Sequence, residues 1–272
     1  MKATVFLGGG RITSALIAGL RLANCDLPIM VHDRHPENLR ELKRQYGVIT
    51  EANLARVVES AGLLIIAVRP NSVAELLNEI KLKWCHRPVT AVSLAAGIPI
   101  SKLEQGLGPP VRWARAMPSP VCRSGRGLTA LAFGRGISAA KKAEIRSFFA
   151  LVGKVVEISE KQFDAFTVTF SSSHGYHALA ALTKAAEAAG LDRKTAHLAA
   201  AHALCDSITV WRAGDLSLDE LLHEAATPGG TAAAVMESMD RAGYQKIVTN
   251  ALREGIKRAR ENASQFSKST RK

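Results

Sequence analysis

Only four cysteines occur in 272 residues, Cys25, Cys85, Cys122 and Cys205, and none stands in a Cys-x-x-Cys pair. Thiols scattered in this way exclude a disulfide framework and give no support to a structural zinc site, so no metal is expected. Aromatic residues are scarce at 5%, and Trp84, Trp113 and Trp211 read as core or interface residues rather than base-stacking platforms. No apolar run approaches the roughly 18 residues that a membrane span needs. Met1 leads directly into Ala3-Thr4-Val5-Phe6-Leu7, too short and too strand-like for a signal segment. The expectation is a cytoplasmic, soluble protein with no membrane partner.

Acidic residues are missing from 105 to 143, a stretch that carries Arg112, Arg115, Arg123, Arg126, Arg135, Lys141 and Lys142. The net charge is +12, and its distribution is uneven: residues 1–158 hold 22 basic and 11 acidic side chains, residues 159–272 hold 14 and 13. The anion that this chain meets is therefore expected at its N-terminal part. Net charge alone would also suit nucleic acid, but no other feature supports that reading, and no nucleic-acid partner is expected.

What is present is a regular alternation. Thr4–Leu7, Ile29–His32, Leu63–Val68, Val89–Leu94, Val111–Ala114, Gly127–Ala132 and Lys154–Ile158 read as strands, and Ile12–Leu22, Pro36–Tyr46, Ser72–Ile80 and Ser138–Leu151 as amphipathic helices. The run Leu63-Leu64-Ile65-Ile66-Ala67-Val68 suits a strand buried on both faces. Such alternation predicts an α/β fold with a Rossmann-type, doubly wound parallel sheet over residues 1–158. From 159 to 266 the strand signal vanishes, and Ala-rich helical patterns are punctuated by Gly190, Gly214, Pro228-Gly229-Gly230 and Gly243. That part is expected to be all-α and to bury its apolar faces in a homo-oligomer, a dimer or larger. Residues 267–272 read as a flexible tail.

The clearest chemistry stands at the start. The strand ending at Leu7 runs into Gly8-Gly9-Gly10-Arg11-Ile12-Thr13, a G-x-G-x-x-T version of the dinucleotide fingerprint. Gly8 permits the tight turn, Gly10 permits close approach of a pyrophosphate, and the helix start offers free N–H groups through Arg11 and Ile12. Thr13 in place of a small third residue weakens the match. About 20 residues on, the second strand ends at Asp33-Arg34; an acid there suits the ribose of NAD, an arginine the extra phosphate of NADP. The basic surplus favours NADPH, with Arg34 on the 2′-phosphate and NADH as the alternative.

Several further motifs, in order, resemble the pyrroline-5-carboxylate reductases. They are Ala67-Val68-Arg69-Pro70, Ser93-Leu94-Ala95-Ala96-Gly97-Ile98, Arg115-Ala116-Met117-Pro118, Gly127-Leu128-Thr129-Ala130, Val152-Gly153-Lys154, Asp164-Ala165, Ala189-Gly190-Leu191, Thr227-Pro228-Gly229-Gly230-Thr231 and Gly243-Tyr244. The resemblance implies reduction of a cyclic imine, by default 1-pyrroline-5-carboxylate to proline, and a helical half that dimerises. It implies that Ala67 to Pro70 and Ala95 to Gly97 line the nicotinamide side. It also implies that Met117, Ser119, Ser171, Ser172, Ser173, Gly229, Gly230 and Thr231 bind substrate.

The substrate turn departs from the family. Its usual Ser-Gly-Ser-Gly-Pro-Ala-Tyr is Phe170-Ser171-Ser172-Ser173-His174-Gly175-Tyr176 here, Asn-Thr-Pro after Met-Pro is Ser119-Pro120-Val121, and the second threonine after Pro-Gly-Gly is Ala232. Hydride addition to an imine also needs a proton at nitrogen. His174 and Tyr176 are the candidate acids, with Thr231 beside the reacting centre; solvent protonation is the alternative. A reductase of another imine or carbonyl compound, and a dinucleotide-binding family member without turnover, remain open readings of the altered turn.

Overall fold

The computed structural model describes residues 2–83 and 87–269. Trp84, Cys85 and the tail from 270 lie outside the described residues. The strands are β1 (Ala3–Leu7), β2 (Ile29–His32), β3 (Ile49–Thr50), β4 (Ala61–Ile66), β5 (Val89–Ser93), β6 (Val111–Pro118), β7 (Gly127–Phe133) and β8 (Gly153–Glu157). They form one sheet in the order β3-β2-β1-β4-β5-β6-β7-β8. The helices among them are α1 (Arg11–Leu22), α2 (Pro36–Tyr46), α3 (Leu54–Ser60), α4 (Val73–Lys83), α5 (Ile100–Gly106) and α6 (Ala139–Ala150), followed by α7 (Phe163–Thr169).

Local sequence explains the elements. Helix α2 starts with Pro36 in its first turn and stops at Gly47, whose φ of 63° is the left-handed cap that glycine adopts most cheaply. Helix α3 is capped by the Asn53 side chain, which accepts from the Ala55 and Arg56 amides at 3.0 and 3.3 Å. Side chains alternate across the sheet. Val5, Leu7, Leu64 and Ile66 enter one core with residues of α3, α4 and α5, whereas Phe6, Leu63 and Ile65 enter the other with α1, α2 and α6. Each fully buried aliphatic side chain contributes roughly 1.5–3 kcal/mol, which is why β1 and β4 lie inside the sheet and not at its edge.

The structure amends four expectations. The sheet is not wholly parallel: β7 runs antiparallel to β6, with Met117 opposite Ala130, because only residues 119–126 connect them, too few for a crossover. Strand β6 extends to Pro118 and so takes in Arg115 and Met117. The short elements β3, α3 and α5 carried too few periodic residues to be expected. Residues 267–269, read as tail, belong to the last helix, which ends at Ser269.

The chain divides into two compact units, 1–170 together with the residues from Glu254 onward, and Ser171–Arg253. The second unit holds α8 (Ser173–Ala188), α9 (Arg193–Ala213), α10 (Leu218–Ala225), α11 (Thr231–Arg241) and the start of α12 (Tyr244–Ser269). Among its described residues only Ala196 and Ala200 are buried, while Leu198, Ile208, Val210, Trp211 and Leu222 are exposed in the single chain. The later turns of α12 pack in the first unit, where Ala259 and Phe266 are buried and Phe266 joins the core of α4 and α5. Among the described residues no helix is long and apolar enough to cross a membrane.

Candidate active site

Gly8 has φ +110°, and a Cβ there would stand 2.7 Å from the Ala67 carbonyl oxygen. Only glycine lets the end of β1 pass so close to the segment after β4. At Gly10, the residue before α1, nothing lies within 4 Å of a Cβ position, so the space beside this backbone is open. No side chain caps α1 and no acid stands in its first turn, which leaves the first N–H groups of the helix available to an anion. Arg11 and Ile12 form that first turn. Thr13 is fully buried, and its hydroxyl donates to the Gly8 carbonyl at 2.6 Å. The third position of the fingerprint therefore locks the loop rather than weakening it. The close helix packing expected of that position occurs at Gly19, where a Cβ would collide with the Cys122 carbonyl.

A cleft of about 520 Å³ opens at the carboxyl ends of β1, β2 and β4, beside β1, where strand order reverses. Open α/β sheets bind ligands at this point. Its wall brings together Gly8, Gly10, Asp33, Arg34, Ala67, Val68 and Arg69. Asp33 accepts the Gly9 amide at 2.6 Å through one carboxylate oxygen and the His35 amide at 2.8 Å through the other. This acid thus holds the glycine loop against the second strand. Arg34 is exposed and pairs with Glu75 of α4 at 3.6 Å. Glu75 also lines the cleft and was not a candidate from sequence, since its helix position showed no motif.

Arg11, Ile12, Pro70, Ala95, Ala96 and Gly97 are not on the wall of this cleft. Pro70 opens a short 3₁₀ turn before α4. Ala95 and Gly97 are buried, and the reason is the chain's last helix: Gly97, at φ +76°, lies against the Ala259 carbonyl, with no room for a Cβ. Asn262 of α12 donates to the Ala96 carbonyl at 3.3 Å. The loop implied to face nicotinamide is thereby clamped by residues more than 160 positions away.

At the end of β6, Met117 is half-buried and Ser119 is buried, its hydroxyl without a hydrogen-bond partner among the described residues. Two residues before Met117, the Arg115 guanidinium is buried between Glu160 at 3.0 Å and Asp164 at 3.4 Å, and sits 4.0 Å from the Phe163 ring centroid. Glu160 also accepts the Ile100 amide at 3.0 Å. Arg115 and Asp164 stand in separate sequence motifs, and only the fold brings them together as an ion pair.

In the second unit, Ser171, Ser172 and Ser173 lead into α8, and Gly229, Gly230 and Thr231 lead into α11. The Ser171 and Ser173 hydroxyls hydrogen-bond each other at 2.6 Å. Among the described non-glycine residues only Asn24 has a positive φ, so serines stand where the family has glycines without backbone strain. The start of α11 has no side-chain cap, and Gly229 takes φ +73°. His174 and Tyr176 are both exposed in the first turn of α8. Tyr176 lines a groove of about 800 Å³ with residues of α8 and α9, including Thr183, Lys184 and His197.

A glycine loop at the helix start, an open cleft at the strand-order reversal and a second, helical unit define a dinucleotide-binding architecture. Comparison with known proteins narrows it. Residues 160–262 match the model "Pyrroline-5-carboxylate reductase dimerisation", and residues 4–97 match "NADP oxidoreductase coenzyme F420-dependent". A pyrroline-5-carboxylate reductase of Mycobacterium leprae is 30% identical over 278 residues, covering 93% of this chain and 94% of its own. A pyrroline-5-carboxylate reductase structure from Coxiella burnetii superposes with TM-score 0.84 at 25% identity, covering 96% of this chain and 98% of that one. A Plasmodium falciparum pyrroline carboxylate reductase, solved with NADP bound, has the same fold, with TM-score 0.85 at 21% identity over 96% and 98%. The chain belongs to the pyrroline-5-carboxylate reductase family.

Proposed function

We propose that this protein is an NADPH-dependent reductase of a cyclic imino acid, with 1-pyrroline-5-carboxylate as substrate and proline as product. The observation that carries the reading is the cleft at the ends of β1, β2 and β4, with its glycine loop and Arg34, in a chain related over nearly its whole length to such reductases. The residues fit the cofactor: the Cβ position of Gly10 is open, α1 is uncapped, and Arg34 offers a guanidinium at the adenosine end. Gly8, Gly10, Arg11 and Ile12 would hold the pyrophosphate on backbone N–H groups, and Arg34 would hold the 2′-phosphate. Ala67, Val68, Arg69 and Pro70 together with Ala95, Ala96 and Gly97 shape the nicotinamide side. When bound, the reduced dinucleotide supplies a hydride to the imine carbon, and the imine nitrogen takes up a proton to become the secondary amine.

The substrate carboxylate suits the free N–H groups where α11 begins, at Gly229, Gly230 and Thr231, and the hydroxyls of Ser171, Ser172 and Ser173. Met117 and Ser119, at the end of β6, are substrate residues by the resemblance to the family. His174 is the first candidate for the proton, with Tyr176 second. The helical unit, matched to a dimerisation model and exposing its apolar faces, assembles the protein as a homo-oligomer. Cys25, Cys122 and Cys205 are free thiols, which suits a reducing cytoplasm.

The test is dinucleotide oxidation with pyrroline-5-carboxylate and with five- and six-membered cyclic imines, each with and without a carboxylate. Fastest turnover on the five-membered imino acid with NADPH is the expected result. Turnover confined to another imine, or NADPH binding without turnover on any, overturns the substrate assignment. His174→Ala is expected to lower turnover while NADPH binding is kept; unchanged turnover removes His174 from proton delivery.

A further inference from the structure

Helix α4 buries Val73, Ala74, Leu77 and Ile80, and its opposite side presents Glu75 and Glu79 to the cleft. The two carboxylates differ in their partners. Glu79 stands 4.0 Å from Lys83 on its own helix, whereas Glu75, in the first turn, reaches Arg34 from the β2–α2 connection at 3.6 Å. On the Arg34 side, Asp33 has each carboxylate oxygen engaged by a loop amide. The acid that would ordinarily read a ribose hydroxyl is therefore committed to the fold, and discrimination falls on the Arg34 guanidinium and whatever competes for it.

We propose that Glu75 sets the preference between the two nicotinamide dinucleotides by competing with a 2′-phosphate for Arg34. The inference rests on the dinucleotide reading of the cleft given above. Both members of the pair are about two-thirds exposed, at 66% and 64%, and ion pairs so exposed are weak enough to open. A phosphate dianion binds a guanidinium through paired charge-assisted hydrogen bonds and displaces a single carboxylate at this distance. The displaced carboxylate stays on the rigid first turn of α4 and repels the phosphate through solvent. NADPH binding carries that penalty and NADH binding does not. Glu75 thus keeps Arg34 poised over the cleft and also lowers the selectivity that Arg34 alone would confer.

The test is calorimetric titration of NADP⁺ and NAD⁺ into the wild-type protein, Glu75→Gln and Glu75→Gln/Arg34→Ala, at low and high salt. Removal of one charge beside a phosphate across solvent is expected to tighten NADP⁺ binding about fivefold at low salt, and less at high salt. NAD⁺ affinity stays within about twofold, because no phosphate stands beside the carboxylate. The gain disappears in the double variant. Unchanged or weaker NADP⁺ binding by Glu75→Gln overturns the proposal, as does equal tightening of both dinucleotides. A wild-type protein that binds neither dinucleotide overturns the reading of the cleft and this inference with it. Binding of both with an unaltered ratio in Glu75→Gln overturns this inference alone.

Discussion

At Thr13 a side chain does the work of an absent one. A third glycine or alanine normally lets the first helix approach the sheet, yet here the hydroxyl is buried and ties the Gly8 carbonyl at 2.6 Å, while Gly19 takes the close approach to the Cys122 carbonyl. Thr13→Val keeps the shape and removes the bond, leaving a buried acceptor unpaired. The expected cost is about 1–3 kcal/mol in chemical denaturation, with weaker dinucleotide binding because the loop loosens. A variant as stable and as tight-binding as the parent would show that the bond is incidental. Cys122 is a second case. Burial pushes its thiol up to about 11, so it stays protonated and unreactive at neutral pH. Mass-mapped iodoacetamide labelling at pH 8 is expected to spare Cys122 until denaturant is added.

Gly8, Gly10 and Arg34 are legible as cofactor candidates because their spacing after a strand is itself the signal, and all three line one cleft. The role of Thr13 is not legible, because its fit depends on a carbonyl five residues earlier in a turn. Nor is that of Glu75, since an acid in the first turn of an amphipathic helix has an ordinary electrostatic reason to be there.

Among the elements, β6 shows where the legible ends. Its apolar start was plain, but the charge of Arg115 hid the rest of an eight-residue strand. A fully buried guanidinium is admissible there only because Glu160, just before α7, and Asp164, in its first turn, pair with it. Arg115→Met is expected to cost about 3 kcal/mol in denaturant unfolding, at the lower end for a broken buried pair because both acid side chains are partly exposed. Replacement of Glu160 and Asp164 by their amides in the same protein should recover part of the loss. Full stability of the single variant would mean that the cluster contributes nothing.

Helix α9 offers a pH test. Asp192 caps it by accepting the Lys194 and Thr195 amides at 3.0 and 3.1 Å, and its hydrogen bonds to Thr195 hold its carboxyl below the usual range. A depressed carboxyl stabilises the fold fully above its unfolded value and loses that contribution as pH falls through the folded value. Asp192→Ala should therefore destabilise the helix cap near neutrality, with the difference from wild type shrinking in acid. A difference that grows in acid would contradict the cap.

For the whole molecule, alternation of strands and helices announced the sheet, and the loss of strand signal near 159 announced the helical part. What periodicity did not reveal is that α12 changes allegiance along its length, because an amphipathic stripe does not say which neighbour will cover it. Nor did it reveal the reversal of β7, which depends on connection length. The uncovered apolar faces of α9 and α10 predict the assembly's weak point. Ile208→Glu or Leu222→Glu is expected to shift the sedimenting species toward monomer, with loss of thermal stability. Unchanged sedimentation for both would place the subunit contact elsewhere.

The contacts of Ala259, Asn262 and Phe266 with Gly97, Ala96 and Gly106 also bear on the order in which the protein is made. Its first 158 residues leave the ribosome with every strand of the sheet, but with the loop at 95–97 bare and the pocket for Phe266 unfilled. More than a hundred further residues must emerge before the covering turn arrives. The dinucleotide unit is thus synthesised ahead of the helical unit and sealed only after it. A nascent chain stalled before residue 259 should be more open to proteases at that loop than the finished protein.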